Sequence, residues 1–82
     1  MHAEPVVSTS RVNHGIRRLR LLAVKLVQDP TDSVIVTYRE SIGQFVVLVR
    51  HWGEVAYLIL GEFEEVAAEI ERRYVELSNW RS

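Results

Sequence analysis

The densest group of side chains able to do acid–base or metal chemistry is a glutamate cluster, Glu62, Glu64 and Glu65. Two neighbouring carboxylates can serve as a general acid and a general base, or they can bind a hard cation such as Mg²⁺. These three positions, however, point in different directions around a helix, and negative side chains in the first helical turn stabilise the helix dipole. We therefore interpret the cluster as an exposed first turn and predict no catalytic or metal site there.

Histidine, cysteine and serine offer no better site for chemistry. His2, His14 and His51 lack the i,i+4 or His-x-His spacing of zinc ligands. The absence of cysteine excludes disulfides, thiolate zinc sites and cysteine nucleophiles. No serine has the flanking glycines of a nucleophile elbow, and the four glycines are too isolated to form a phosphate-binding loop. The sequence thus predicts a protein that is not an enzyme and has no cofactor or metal ion.

The basic residues carry a stronger functional signal. Between Glu4 and Asp29 the sequence has no acidic residue and five basic ones, Arg11, Arg17, Arg18, Arg20 and Lys25. Such a group can lie along the phosphates of DNA, where each neutralised phosphate releases counterions. Two alternatives stay open: a solvated face of an amphipathic helix, or ion pairs with the glutamate-rich last helix. The pI of about 6.3 does not favour nucleic acid binding by the chain as a whole.

These basic residues lie on a predicted first helix. Apolar residues recur at the three- and four-residue spacing of one helix face, at Val12, Ile16, Leu19, Ala23 and Leu26. Ser10 or Asn13 can cap the start of this helix. Asp29-Pro30 ends it near Gln28, because the residue before a proline disfavours helical angles. We expect residues 1–10 to form a flexible tail.

From Ser33 onward the apolar period changes from that of a helix to that of a strand. Three stretches rich in β-branched residues are separated by turns at Gly43 and Gly53. A second helix follows from Glu62 to about Leu77. We therefore predict an α+β fold with the order helix, three-stranded antiparallel meander, helix. It forms a single domain over residues 11–78, with a short tail at 79–82.

The sequence has more apolar side chains than a monomer of this size can bury. Leu21 and Val24 lie among the basic side chains of the first helix, and the second and third strands are apolar on both faces. We expect these strands to be covered on both sides, by the two helices or by a helix and a partner subunit. The sequence predicts a homodimer with Leu21 and Val24 at its interface. Trp52, at the predicted tip of the second hairpin, is either an exposed anchor for a protein partner or part of the core.

A family resemblance adds a functional expectation. The stretch FVVLVRHWGEVAYLILGEFEEV, residues 45–66, resembles the hairpin and following helix of Phd/YefM-type antitoxins. Upstream, VSTSRVN at residues 7–13 is similar to the first strand and helix start of that family. The resemblance implies a homodimer that binds operator DNA through its amino-terminal domain and neutralises a toxin through a carboxy-terminal extension. Residues 31–42 add a strand to the family pattern, and no long segment follows the predicted last helix.

Two classes of function therefore stand side by side. The first is a small dimeric DNA-binding regulator of antitoxin type that acts through its basic first helix. The alternative is a small protein-binding adaptor or inhibitor, of the kind found in phages and mobile elements, that uses its second hairpin and acidic last helix. No apolar run reaches the roughly 18 residues of a membrane span, so no membrane contact is expected. Without an apolar leader at residues 1–10, we expect a cytoplasmic location.

Overall fold

A computed structural model describes residues 4–81, together with the side chains of residues 10–80. Helix α1 spans Glu4–Ala23 and continues as a 3₁₀ turn at Val24–Leu26. Strands β1 (Ser33–Arg39), β2 (Gln44–His51) and β3 (Glu54–Gly61) follow, and helix α2 spans Phe63–Arg81. This order confirms the predicted α+β fold of helix, three-stranded antiparallel meander and helix.

Both helices are longer than the sequence pattern predicted. Helix α1 begins at Glu4, so residues 4–10 of the stretch predicted as a flexible tail are helical; residues 1–3 lie outside the described residues. Pro5 permits the early start, because backbone amides of a first helical turn have no intrahelical partner. Helix α2 includes residues 79–81, which were predicted as a tail, since neither glycine nor proline ends it near Leu77.

The sheet has the strand order β1-β2-β3, so β2 is its central strand. Val47 of β2 pairs with Val36 of β1 on one side and with Ile59 of β3 on the other. Strands β2 and β3 are joined by a two-residue turn at Trp52 and Gly53, whose φ angles are 56° and 78°. Positive φ at both positions defines a type I′ turn, which matches the twist of an antiparallel hairpin.

Both helices pack on the same face of this sheet. Leu19 of α1 and Val66 and Ile70 of α2 are fully buried against Val47 at the centre of the sheet. The core consists of Leu19, Ala23, Leu26, Val36, Phe45, Val47, Val49, Ile59, Val66 and Ile70. Each aliphatic side chain buried in this way contributes about 1.5–3 kcal/mol. None of the residues that form this core is polar or charged, so the core between helices and sheet is wholly apolar.

The two helices run in the same direction. The guanidinium of Arg18 lies over the ring of Phe63 near the start of α2, and Lys25 pairs with Glu71 further along it. Helix α1 therefore runs alongside α2, and the described residues extend over 53 × 23 × 19 Å. Neither helix, over residues 4–81, has the length and apolar character needed to cross a membrane.

Candidate functional site

The sheet face opposite the helices is apolar and exposed. Leu48 of β2 lies between Ile35 of β1 and Leu58 of β3, and Val46 lies beside Leu60 in the next row. Ile35, Leu58 and Leu60 are 44%, 57% and 48% exposed. Val55 extends this surface towards the β2–β3 turn. We call this surface the open sheet face, and it consists of Ile35, Val46, Leu48, Val55, Leu58 and Leu60.

The open sheet face corrects one expectation. The apolar pattern of the second and third strands predicted cover on both sides, with the second helix as one way to provide it. In the described part of the chain, α1 and α2 share a single face, as the common burial of Leu19 and Ile70 against Val47 shows. The second helix therefore does not cover the other face. Cover by a partner subunit stays a prediction.

Leu21 and Val24, the predicted interface residues, are exposed on the outer side of the first helix and its 3₁₀ turn. They form a smaller apolar surface than the open sheet face, and charged side chains interrupt it. Arg17 precedes Leu21 by one turn and Arg20 precedes Val24 by one turn, and both arginines are exposed. This surface is amphipathic, whereas the open sheet face is aliphatic apart from Thr37, which lies beside Val46.

The five basic residues that the sequence grouped together do not form one surface. Lys25 donates a hydrogen bond to Glu71 at 3.1 Å and lies 5.5 Å from the ring centroid of Tyr74. Arg18 lies 5.1 Å from the ring centroid of Phe63. Lys25 and Arg18 therefore connect α1 to α2. The Lys25–Glu71 pair agrees with the alternative of ion pairs with the last helix, whereas Arg18 contacts an aromatic ring.

Arg17 and Arg20 form a separate pair on the outer side of α1. Both are exposed, and neither has an ion-pair partner among the side chains of residues 10–80. Arg11 lies on a third side, where it lines a cavity together with Arg18. A phosphate-binding surface on the outer side of this helix would therefore consist of Arg17 and Arg20.

The β2–β3 turn presents Trp52 to solvent. Its side chain is 75% exposed, so the interpretation of Trp52 as a core residue is wrong. The left-handed φ of 56° costs a non-glycine residue about 1–2 kcal/mol. Two contacts hold the indole: it stacks on His51 with ring centroids 4.5 Å apart, and its Nε1–H donates to Asp29 at 3.4 Å. An exposed indole in a fixed orientation is a typical anchor residue at protein interfaces.

Asp32 ties this turn to the loop between α1 and β1. Its carboxylate accepts the backbone N–H groups of Gln28 and Asp29 at 3.0 and 3.2 Å, and it lies 2.8 Å from Nδ1 of His51. Because a carboxylate can only accept, Nδ1 of His51 carries the proton. Burial opposes the charge of Asp32, but the hydrogen bonds from Gln28 and His51 outweigh it and hold the pKa of Asp32 below its usual value. The Asp32–His51 pair thus stabilises the support on which Trp52 stacks.

We expect Asp32→Asn to lower the free energy of unfolding at neutral pH, and we expect this deficit to disappear in acid. A carboxyl whose pKa is depressed by folding stabilises the folded state above its unfolded pKa of about 3.9, and that contribution is lost as the pH falls through the folded pKa. Urea unfolding of wild type and variant over a pH series measures the difference. A deficit that does not change with pH would show that the charge of Asp32 has no role.

The glutamates of α2 stabilise the helix. Oε1 of Glu65 accepts the backbone N–H of Glu62 at 2.9 Å, which is half of a capping box at the helix start. Further along, Glu69 accepts hydrogen bonds from Arg72 and Arg73, and these bonds lower the pKa of Glu69. In the part of the chain that the structure describes, no group of three or more histidine and acidic side chains is arranged to hold a metal ion.

A cavity of about 380 Å³ lies where α1, the end of the sheet and the start of α2 meet. Its aromatic wall is formed by Tyr38, Phe45 and Phe63, and its other wall is formed by α1. The residues of α1 that line it are Arg11, Val12, His14, Gly15 and Arg18. A Cβ atom at Gly15 would lie only 2.7 Å from Cζ of Phe45, so this close approach requires glycine. Sequence reasoning treated Gly15 as an isolated glycine and missed the cavity, although Arg11, His14 and Arg18 follow an i, i+3, i+7 pattern.

No family model, curated protein or solved structure matches this chain. The resemblance to Phd/YefM-type antitoxins therefore stays a prediction.

Proposed function

We propose that the protein is a homodimeric protein-binding module in which two copies of the chain pack through the open sheet face. The observation that carries this proposal is the continuous exposed aliphatic surface on the sheet side opposite both helices. Exposed apolar surfaces that extend over neighbouring side chains mark interaction sites in soluble proteins. A second copy is always present at the concentration of the protein itself, and it offers the same apolar surface in return.

The distribution of charge supports a second copy as the occupant. The two strand residues at the ends of this face are Arg39 and Arg50, which lie in the outer rows of the β1–β2 pairing. The rows between them contain Ile35 with Leu48, and Thr37 with Val46, and carry no charge. An apolar centre with charge confined to the margin is typical of homodimer interfaces, whereas interfaces that form only transiently are as polar as the remaining surface.

A dimer of this kind leaves the second hairpin available to a different protein. Two sheets packed face to face lie about 10 Å apart, with the helices as outer layers. Trp52 is in the turn beyond the ends of β2 and β3, held in place by His51 and Asp29. We propose Trp52 as the contact for a protein partner, which makes an adaptor or inhibitor the function class.

The proposal is tested by placing the same charge on two exposed apolar surfaces. We expect Leu58→Glu, on the open sheet face, to convert the dimer to a monomer, because two buried carboxylates would lose their hydration across the two-fold axis. The matched control is Leu21→Glu on the outer side of α1, which is more exposed than Leu58 and should leave the dimer intact. Size-exclusion chromatography with light scattering measures the mass of each variant, and circular dichroism shows that each is folded.

The reverse result would overturn the proposal. A dimer that survives Leu58→Glu but dissociates with Leu21→Glu would place the interface on α1, as the sequence pattern predicted. A wild-type monomer would exclude both interfaces.

DNA binding is the second candidate, because Arg17 and Arg20 are exposed and have no acidic partner among the described side chains. The resemblance to Phd/YefM-type antitoxins also favours it. The geometry of the proposed dimer does not favour DNA binding. Packing through the open sheet face places the two α1 helices in opposite outer layers, roughly 30 Å apart for layers about 10 Å thick. The two Arg17–Arg20 pairs then point away from each other and cannot contact one face of a duplex.

If the chain binds DNA, Arg17→Gln combined with Arg20→Gln should lower the salt slope of log affinity by about 0.9 for each phosphate that the variant no longer neutralises. Lys25→Gln is the matched control, because Lys25 is already paired with Glu71 and should leave the slope unchanged. Fluorescence anisotropy on duplex DNA over a salt series measures both slopes. Wild-type protein that binds no duplex at low salt would exclude this candidate.

A further inference from the structure

The cavity beside Gly15 combines an apolar wall with positive charge. Phe45 is at the centre of the wall and makes edge-to-face contacts with Tyr38 and Phe63, with ring centroids 4.9 and 6.1 Å away. The volume of the cavity, about 380 Å³, falls in the range of small-molecule sites. The cavity lies on the helix side of the sheet, so a second copy on the open sheet face would leave it accessible.

The charged side chains that line the cavity, within the described residues, are both arginines. Arg11 and Arg18 are seven residues apart on α1, two helical turns, and therefore line the same side of the helix with His14 between them. Among the side chains of residues 10–80, no acidic one lines the cavity, and neither arginine has an ion-pair partner there. Arg18 is further fixed by its position over the Phe63 ring. Guanidinium groups bind carboxylates, sulfonates and phosphates through paired N–H donors.

We propose that this cavity binds a small organic anion with an aromatic or other planar apolar body. The planar body packs against Phe45 and Phe63, and the anionic group lies between Arg11 and Arg18. This site is independent of the open sheet face and of the homodimer. In this proposal Arg11 and Arg18 bind the ligand, whereas Arg17 and Arg20, on the outer side of α1, do not contact it.

Two fluorescent probes that share their rings and differ in charge test the site. Anilinonaphthalene sulfonate carries the anionic group, and N-phenylnaphthylamine lacks it. We expect wild type to bind the sulfonate at least about tenfold more tightly than the neutral probe, a ratio that corresponds to about 1.4 kcal/mol. Arg11→Gln combined with Arg18→Gln should remove this preference. Arg17→Gln, on the outer side of the same helix, is the matched control and should retain it.

Amide chemical-shift mapping locates the bound sulfonate. We expect the largest shifts at Gly15, Tyr38 and Phe63, and small shifts at Leu58 and Leu60. The inference is overturned if wild type binds both probes equally, if Arg17→Gln abolishes the preference as fully as the double variant does, or if the shifts cluster on the open sheet face. Circular dichroism of the double variant checks that a loss of binding does not reflect a loss of folding. If it is unfolded, the two single variants should each weaken the preference, and unchanged single variants would overturn the inference.

Discussion

Phe45→Ala is expected to lower the free energy of unfolding by about 3–5 kcal/mol. The Phe45 ring is buried at the point where β2 meets Tyr38 of β1 and Phe63 of α2. Its removal leaves a void between these elements and ends two edge-to-face contacts. A domain of this size has a total stability of roughly 4–12 kcal/mol, so the loss removes from about a quarter to all of the stability of the folded state.

Trp80→Ala is the matched control for this destabilisation. Trp80 is also an aromatic residue, but it is 84% exposed near the end of α2, so its replacement should change stability by no more than about 0.5 kcal/mol. Urea unfolding monitored by circular dichroism measures both variants. Similar destabilisation of the two variants would contradict the placement of Phe45 in the core.

Gly15→Ala is expected to destabilise the protein by up to about 2 kcal/mol, although alanine is the better helix former by about 1 kcal/mol. The new Cβ would lie 2.7 Å from Cζ and 3.0 Å from Cε1 of Phe45. The ring cannot move away easily, since Tyr38 and Phe63 pack against it on two sides. Overpacking of this kind typically costs about 1–3 kcal/mol, and a ring held on two sides places the cost above the lower end of this range and therefore above the gain in helix propensity.

Asn13→Ala provides the comparison on the same helix. Asn13 is exposed, so alanine there should stabilise the helix by a few tenths of a kcal/mol. Thermal and urea unfolding of the two variants give the sign of each effect. If Gly15→Ala stabilised the protein as Asn13→Ala does, α1 would not approach the Phe45 ring as closely as the structure shows.

The order of elements was predictable because the sequence marks it with local signals. The apolar period changes at Ser33, and Gly43 and Gly53 stand in the turns that join the strands. The ends of the helices were harder to predict from the sequence. Ser10 and Asn13 are good caps, yet α1 begins at Glu4, since a cap preference of about 1 kcal/mol does not prevent helix formation further upstream.

The candidate surfaces were only partly predictable from the sequence. The pattern of β2 and β3 showed that both faces are apolar. It could not show that the two helices share one face, because the side on which each helix packs depends on the direction in which the chain leaves the sheet at the start of β1 and at the end of β3. Likewise, the basic residues of α1 were recognised as a group. Their separation into an outer pair, Arg17 and Arg20, and a cavity pair, Arg11 and Arg18, depends on the position of Phe63 in α2.

The proposed homodimer, formed through the open sheet face, can be tested by sedimentation equilibrium of the wild-type chain at micromolar concentrations. The chain mass is 9.5 kDa. We predict twice this mass for the wild-type protein, and a shift towards the chain mass when Leu58 is replaced by glutamate. A wild-type mass that equals the chain mass at every concentration would rule out the homodimer.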